Sequence, residues 1–360
     1  MVDTVKLNTR VQILKYLGNV YTDFYFNISD LDNNTTGLKE ENQNTGFTLE
    51  SYSGTGKIFD LASISKALGV SLLVLYKMYR GVLDPYTSLS EFIKGTKLEE
   101  ELDYRYKGIS IYDILSHQSG IPAWRNFYTR CQGEEGVKFD KKYLLKRLNF
   151  IALNHELKEH GQFSYSDVGF ILLGLILEEK EKQGLDKQFE SLCSKLSFTP
   201  YKEEFIGYSN QLEDKSRFVP TCDMCPLRKM KIQGEVHDEN SFYLGGRTGH
   251  AGMFADGEAL KRFLNVVFSS EFGEFIRSTI VKDMSRTGSL YSFGFRRGIC
   301  SDNSGYYLSK DSFGHTGFTG GCFWIGAGKE LVFLTNRTIF QRKYPMQELR
   351  TKVLSNFIVE

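Results

Sequence analysis

No long block of one charge sign interrupts this 360-residue chain, and its 45 Lys+Arg nearly balance its 44 Asp+Glu. That absence argues against a nucleic-acid groove or an anionic membrane surface, so the expected partner is a small molecule. Long hydrophobic runs are lacking as well. The longest, Ala67 to Tyr76, is flanked by Lys66 and Lys77 and reaches only about half a membrane span. The opening residues, MVDTVKLNTRVQILKYLG, lack the basic patch, apolar core and small-residue cleavage site of a secretory leader. A cytoplasmic protein is the expectation. Its six cysteines, Cys131, Cys193, Cys222, Cys225, Cys300 and Cys322, would stay mostly reduced there. No repeat of 20–50 residues and no low-complexity linker is visible, which sets solenoids and tethered modules aside.

What is present is enough to bury a large core: 41% of residues are hydrophobic and 14% aromatic. That length fits one large domain or two sharing an interface. VQILKYLG and TDFYFNIS read as strands around a turn, and LDNNTTGLKEENQNTG as a polar loop. Helical patterns dominate from Ser63 to Met284, as in KYLLKRLNFIALNHEL and DVGFILLGLILEEKEKQ. Short β-like runs split by glycines follow: YSFGFRRGI, SGYYLS, HTGFTG, CFWIG and ELVFLTNR. PMQELRTKVLSNFIV reads as a closing amphipathic helix. The order predicts an α/β (α+β) fold whose first and last segments join in one mostly antiparallel sheet. Residues 1–62 and 285–360 would form that discontinuous sheet domain, and 63–284 an inserted, mainly helical one. A pocket at their junction is the expected site.

The chemistry starts at Ser63, in FDLASISKALGVSLL. Ser63 and Lys66 stand at i and i+3 and share a helix face. A serine alcohol needs a neighbouring base before it can attack a carbonyl, and Lys66 is within reach. A helix N-terminus adds free backbone N–H groups suited to an oxyanion. The competing reading is an ordinary helix-start serine beside a solvated lysine. Tyr165, in GQFSYSDVGFILLG, could relay a proton to a leaving group, and Asp167 offers an acceptor for Lys66 or a substrate amide. A packed helix-start tyrosine is the plainer alternative. Tyr208-Ser209-Asn210 is a rival triplet in a polar stretch. His315-Thr316-Gly317 lies on a glycine-flanked β-like run, where Phe318 N–H could be the second oxyanion donor. Taken alone, His315 reads as a structural strand histidine.

Together, in chain order, Ser-x-x-Lys, Tyr-x-Asp and His-Thr-Gly resemble the three motifs of the serine β-lactamase and penicillin-binding-protein superfamily. ILSHQSGIPAWRNFY, GEVHDENSFYLGGRTGHAGMF and HTGFTGGCFWIGAGKELVFLTNR are similar to segments of its class C β-lactamase-like branch. The resemblance runs from about Phe59 to the C-terminus and favours Tyr165 over Tyr208. It implies a sheet flanked by helices, a helical domain, and the site between them. It also implies an acyl-enzyme on Ser63, with base work shared by Lys66 and Tyr165 and the oxyanion held by Ser63 and Phe318 N–H. His315 replaces the usual lysine of the third motif and, by that resemblance, joins Ser63, Lys66 and Tyr165 as an expected catalytic residue. A histidine carries less charge at neutral pH, which weakens recognition of a substrate carboxylate.

Weaker signals complete the picture. Cys222-x-x-Cys225 is half of a zinc site at most, so no metal and no cofactor is expected. His237, Asp238 and His250 read as loop-shaping hydrogen-bond partners, and His117 as a loop holder. Trp124 and Tyr128 could wall the pocket, with Asp167, Thr316 and Gly317 also touching substrate. The leading reading is an ester- or amide-cleaving serine hydrolase acting on a small molecule or peptide. A true β-lactamase, a D-Ala-D-Ala carboxypeptidase, and a catalytically silent binding or sensor homologue are the alternatives.

Overall fold

The computed structural model describes residues 24–30, 56–128, 141–154, 156–159, 161–208, 214–298, 311–326 and 328–336. The expected strand VQILKYLG, the loop LDNNTTGLKEENQNTG, the run SGYYLS, the closing helix, and Cys131 and Cys300 lie outside the described residues.

Among the described residues there are nine strands: β1 (Phe24–Asp30), β2 (Ile58–Asp60), β3 (Ile206–Tyr208), β4 (Met253–Asp256), β5 (Tyr291–Ser292), β6 (Phe295–Arg297), β7 (Phe313–Thr316), β8 (Gly320–Gly326) and β9 (Lys329–Asn336). Six of them form one antiparallel sheet in the order β1-β9-β8-β7-β6-β5. β1 runs along β9 from Phe24 opposite Thr335 to Asp30 opposite Lys329, so the first and last described strands are neighbours. Successive residues of β8, Cys322 to Ile325, are all buried. Side chains alternate between faces along a strand, so this strand is covered on both. The helix Gly257–Phe268 packs against β9. Its buried Leu260, Phe263, Leu264 and Val267 recur at helical spacing and form the stripe that faces the sheet.

A second, three-stranded antiparallel sheet, β2-β4-β3, takes β3 and β4 from the stretch read from sequence as helical. Strands of three or four residues are too short to show a period of two against the surrounding helices. This small sheet matters because β2 leads directly into the Ser63 turn. The helix Asp167–Glu181 is buried from Val168 through Leu177, apolar all round as an internal helix should be. Ser166 caps it by accepting from Gly169 N–H at 2.9 Å. No helix among the described residues is long and apolar enough to cross a membrane.

Candidate active site

β2 ends at Asp60, and the chain turns through Ala62, whose φ of 47° is unusual for a residue with a Cβ. Three successive backbone bonds then tighten the helix start: Ile64 to Leu61, Ser65 to Ala62, and Lys66 to Ser63, at 3.0–3.1 Å. The following turn, Lys66–Ser71, is π-helical, a wider winding found often at functional sites. Ser63 therefore heads the helix. Its backbone N–H donates to no group among the described residues, as expected of a helix N-terminus.

Lys66 is fully buried, so its amine needs partners. It donates to Ser63 Oγ at 3.0 Å and to the His250 carbonyl at 3.2 Å, and pairs with Asp167 Oδ1 at 2.6 Å. It also sits 4.9 Å from the Tyr165 ring centroid. The His250 carbonyl reaches it because the backbone near Gly249 presses onto the Asp167–Glu181 helix. A Cβ on Gly249 would fall 2.0 Å from Phe170 O.

The Ser63 hydroxyl is among the groups that act on the Tyr165 phenol. Burial first, then the Asp167 carboxylate, push the phenol well above its usual range, so it keeps its proton. Behind Tyr165 lies His117, its ring centroid 4.3 Å away. His117 Nδ1 accepts the Ser166 N–H at 3.0 Å, which requires the unprotonated nitrogen. Burial, with Lys66 and His315 adding to it, holds this imidazole well below its ordinary pKa. The sequence expectation of a loop holder was too modest: His117 supports the tyrosine of the candidate site.

His315, on β7, is buried, with its ring 6.3 Å from Tyr165 and 5.7 Å from Tyr291. Its Nδ1 donates to the Thr316 carbonyl at 2.8 Å. Gly317 follows, and a Cβ there would meet Leu61 O at 2.7 Å, so only glycine lets this strand approach the Ser63 turn. Phe318 comes next, 46% exposed, with its ring 5.7 Å from that of His237. Trp124 is exposed too, edge-on to Tyr128. It neighbours Ala123, whose carbonyl accepts Asp167 N–H at 2.8 Å. Ser63, Lys66, Tyr165 and Asp167 thus form one contact network, with His315 beside it and Trp124 at its margin. Tyr208 lies elsewhere, buried in the small sheet on the side of Gly69.

Sequence reasoning missed Asp60, which is buried and accepts from the N–H groups of both Ala62 and His237 at 2.8 Å. No spacing rule flags an aspartate three residues before a nucleophile. It also gave Asp238 and His250 no place beside Lys66. Their side chains pair at 2.8 Å. Burial would raise the Asp238 pKa, but His250 and the Ser241 N–H outweigh it and hold the carboxyl below its usual range. Cys222 and Cys225 are buried free thiols, Cys225 Sγ lying 3.4 Å from Glu239 Oε1. Among the described residues no group of three His, Cys, Asp or Glu is placed to hold a metal ion.

A family model described as "Beta-lactamase" matches residues 52–351. The chain is similar to an N-acetylmuramyl-L-alanine amidase of Bacillus subtilis (strain 168), 29% identical over 304 residues, covering 79% of this chain and 68% of that protein. It is similar also to a putative D-alanyl-D-alanine carboxypeptidase of Escherichia coli (strain K12), 26% identical over 286 residues, covering 74% of this chain and 65% of that one. The chain thus spans about two thirds of the length of these relatives. Among solved structures, EstCE1, a hydrolase with promiscuous acyltransferase activity, matches 98% of this chain and 100% of its own at TM-score 0.62 and 17% identity. A class C beta-lactamase mutant matches 99% of this chain and 98% of its own at 0.59 and 12%. At such identities these two similarities speak for the fold.

Proposed function

Because the chain belongs to the beta-lactamase family, we propose that it is a serine hydrolase cleaving an ester or amide bond through an acyl-enzyme on Ser63. The observation that carries this reading is the Ser63 hydroxyl, 3.0 Å from Lys66 Nζ, with the Tyr165 ring 4.9 Å from the same nitrogen. Ser63 Oγ attacks the substrate carbonyl carbon. Its proton passes to Lys66, which releases one of its own to Asp167, 2.6 Å away. Tyr165, kept as a phenol, donates to the departing oxygen or nitrogen and is reprotonated from Lys66. The C–O or C–N bond breaks as the ester to Ser63 forms, and water then reverses the sequence to free the acid. Backbone N–H groups of Ser63 and Phe318 hold the oxyanion. Thr316, Gly317, Asp167 and Trp124 line the substrate's path, and His315 shapes the tyrosine side.

The names of the amidase and carboxypeptidase relatives favour an amide over an ester, which keeps a carboxypeptidase or β-lactamase activity as the second reading. The free thiols of Cys193, Cys222, Cys225 and Cys322 favour a reducing compartment such as the cytoplasm. The decisive experiment is hydrolysis of a short-chain nitrophenyl ester alongside intact-mass detection of a fluorophosphonate adduct. Ser63→Ala is expected to abolish both. Wild-type turnover in that variant removes Ser63 from the mechanism.

A further inference from the structure

Asp60 is a buried carboxylate that the reaction above does not use, yet three segments of the site hang on it. Its Oδ1 accepts the Ala62 N–H at 2.8 Å, one residue before the nucleophile. Its Oδ2 accepts the His237 N–H at 2.8 Å. The neighbouring Asp238 pairs with the ring of His250, and the carbonyl of His250 holds Lys66. The backbone carbonyl of Asp60 accepts the Thr319 hydroxyl at 2.8 Å, one residue beyond Phe318. Nucleophile, lysine support and second oxyanion donor are therefore tied to one side chain and its own backbone.

We propose that Asp60 is a positioning residue for the acyl-transfer site, holding Ala62 in its left-handed conformation and so fixing Ser63 against Lys66 and the Phe318 strand. The inference rests on the acyl-enzyme reading of Ser63. At φ 47° an alanine needs surrounding contacts to keep it there. The Asp60 bond to its N–H is placed to do so, beside the bond from Ser65 N–H to its carbonyl. Both carboxylate oxygens face N–H donors, which suits the anion. Removing the charge sets an O–H or N–H against one of those donors and loosens the turn.

Asp60→Asn makes that exchange with almost no change in shape. A fluorophosphonate adduct on wild-type Ser63, read by intact mass, first establishes that the serine acylates. In Asp60→Asn, kcat for a neutral nitrophenyl ester is expected to fall 10–100-fold, on the order seen when reacting groups are misplaced. KM should move less than about threefold, because the substrate's own contacts stay in place. Adding Ala62→Gly should return at least about fivefold of the lost kcat, because glycine takes positive φ unaided. Burial pushes the Asp60 carboxyl up to about 6 against the two N–H bonds. The nearby charges are Asp238, which adds to the rise, and Arg228, which opposes it. The wild-type labelling rate should accordingly fall below about pH 6, and the asparagine variant should lack that limb.

Labelled wild type together with Asp60→Asn kcat within threefold overturns this inference alone. So does a lost kcat that Ala62→Gly fails to raise. Should the asparagine variant not fold, a wild-type labelling rate that stays flat through pH 6 overturns it equally. No label on wild-type Ser63 overturns the acyl-enzyme reading, and this inference with it.

Discussion

Lys66 and His315 both lie beside Tyr165 and both are buried, but they are held in opposite ways. The Lys66 nitrogen is bound by side chains and backbone from three separate parts of the chain: Ser63, Asp167 and His250. His315 bonds to the carbonyl of the very next residue and packs against the rings of Tyr165 and Tyr291. A buried charge with long-range partners is costly to assemble and rarely the most stable option. A histidine bonded locally among aromatics costs little. The first arrangement points to chemistry, the second to shape.

The largest effect that tests this contrast comes from Lys66→Met. If Lys66 serves the reaction, kcat/KM should fall by about a thousandfold or more in protein that is still folded at the assay temperature, although some stability is lost too, because removing one partner of a buried pair leaves the other uncompensated. Asp167 would be left without its cation, its side chain 22% exposed but the paired Oδ1 buried. Unfolding titrations and ester kinetics on the same preparation separate the two outcomes. Activity lost only in step with the unfolded fraction would place Lys66 on the structural side. Next comes Asp167→Asn. The amide still accepts a hydrogen bond but cannot take a proton, so a fall of about 10- to 100-fold in kcat is expected if Asp167 is the proton's destination. An unchanged kcat would leave Lys66 and Tyr165 to work alone.

His117 gives a smaller, pH-dependent test. Its pKa is depressed in the folded protein, so the unfolded chain binds a proton first as pH falls below about 6.5. Stability attributable to this residue is fully present above that pH and declines below it, by up to about 1.4 kcal/mol for each pH unit until the folded pKa is reached. His117→Asn keeps an acceptor for Ser166 N–H without the titration. The variant should start less stable at pH 7.5 and lose less between pH 7.5 and 5 than wild type. Parallel losses in denaturant melts would show that His117 does not titrate in this way.

The parts of the fold legible in the sequence were those written in long local patterns. The helix Asp167–Glu181 carries ten consecutive buried positions after a capping serine, and β8 with β9 reads as apolar strand runs split by glycine. Ser63 and Lys66 were legible because one helical turn brings i and i+3 together whatever the tertiary fold. Asp60, His117 and His250 were not. Each acts through a partner distant in sequence: Asp60 on His237, His117 on Ser166, and His250, through a backbone carbonyl, on Lys66. A carbonyl has no sequence signature at all. The small sheet escaped notice for a related reason, since β2, β3 and β4 are too short to announce themselves and are aligned only by long-range pairing.

The smallest expected effect concerns substrate charge at His315. A lysine at this point of the strand would offer a fixed cation to a substrate carboxylate. The histidine turns Nδ1 to its own backbone and packs its ring into the aromatic cluster, so it does not present a lysine's mobile ammonium there. Asp167 and Asp238 add negative charge near Tyr165, which disfavours a carboxylate further. A matched pair of nitrophenyl esters, butyryl and hemisuccinyl, isolates this term at pH 7.5. The neutral ester should be cleaved at least as well, and His315→Lys should shift the kcat/KM ratio toward the carboxylated ester by about three- to tenfold. That range corresponds to about 0.6–1.4 kcal/mol, the worth of a partly screened ion pair. Wild type that strongly prefers the hemisuccinyl ester would mean that another cation reads the carboxylate. The contrast between a chemical Lys66 and a merely shape-giving third motif would then fail, and the carboxypeptidase or β-lactamase reading would move ahead.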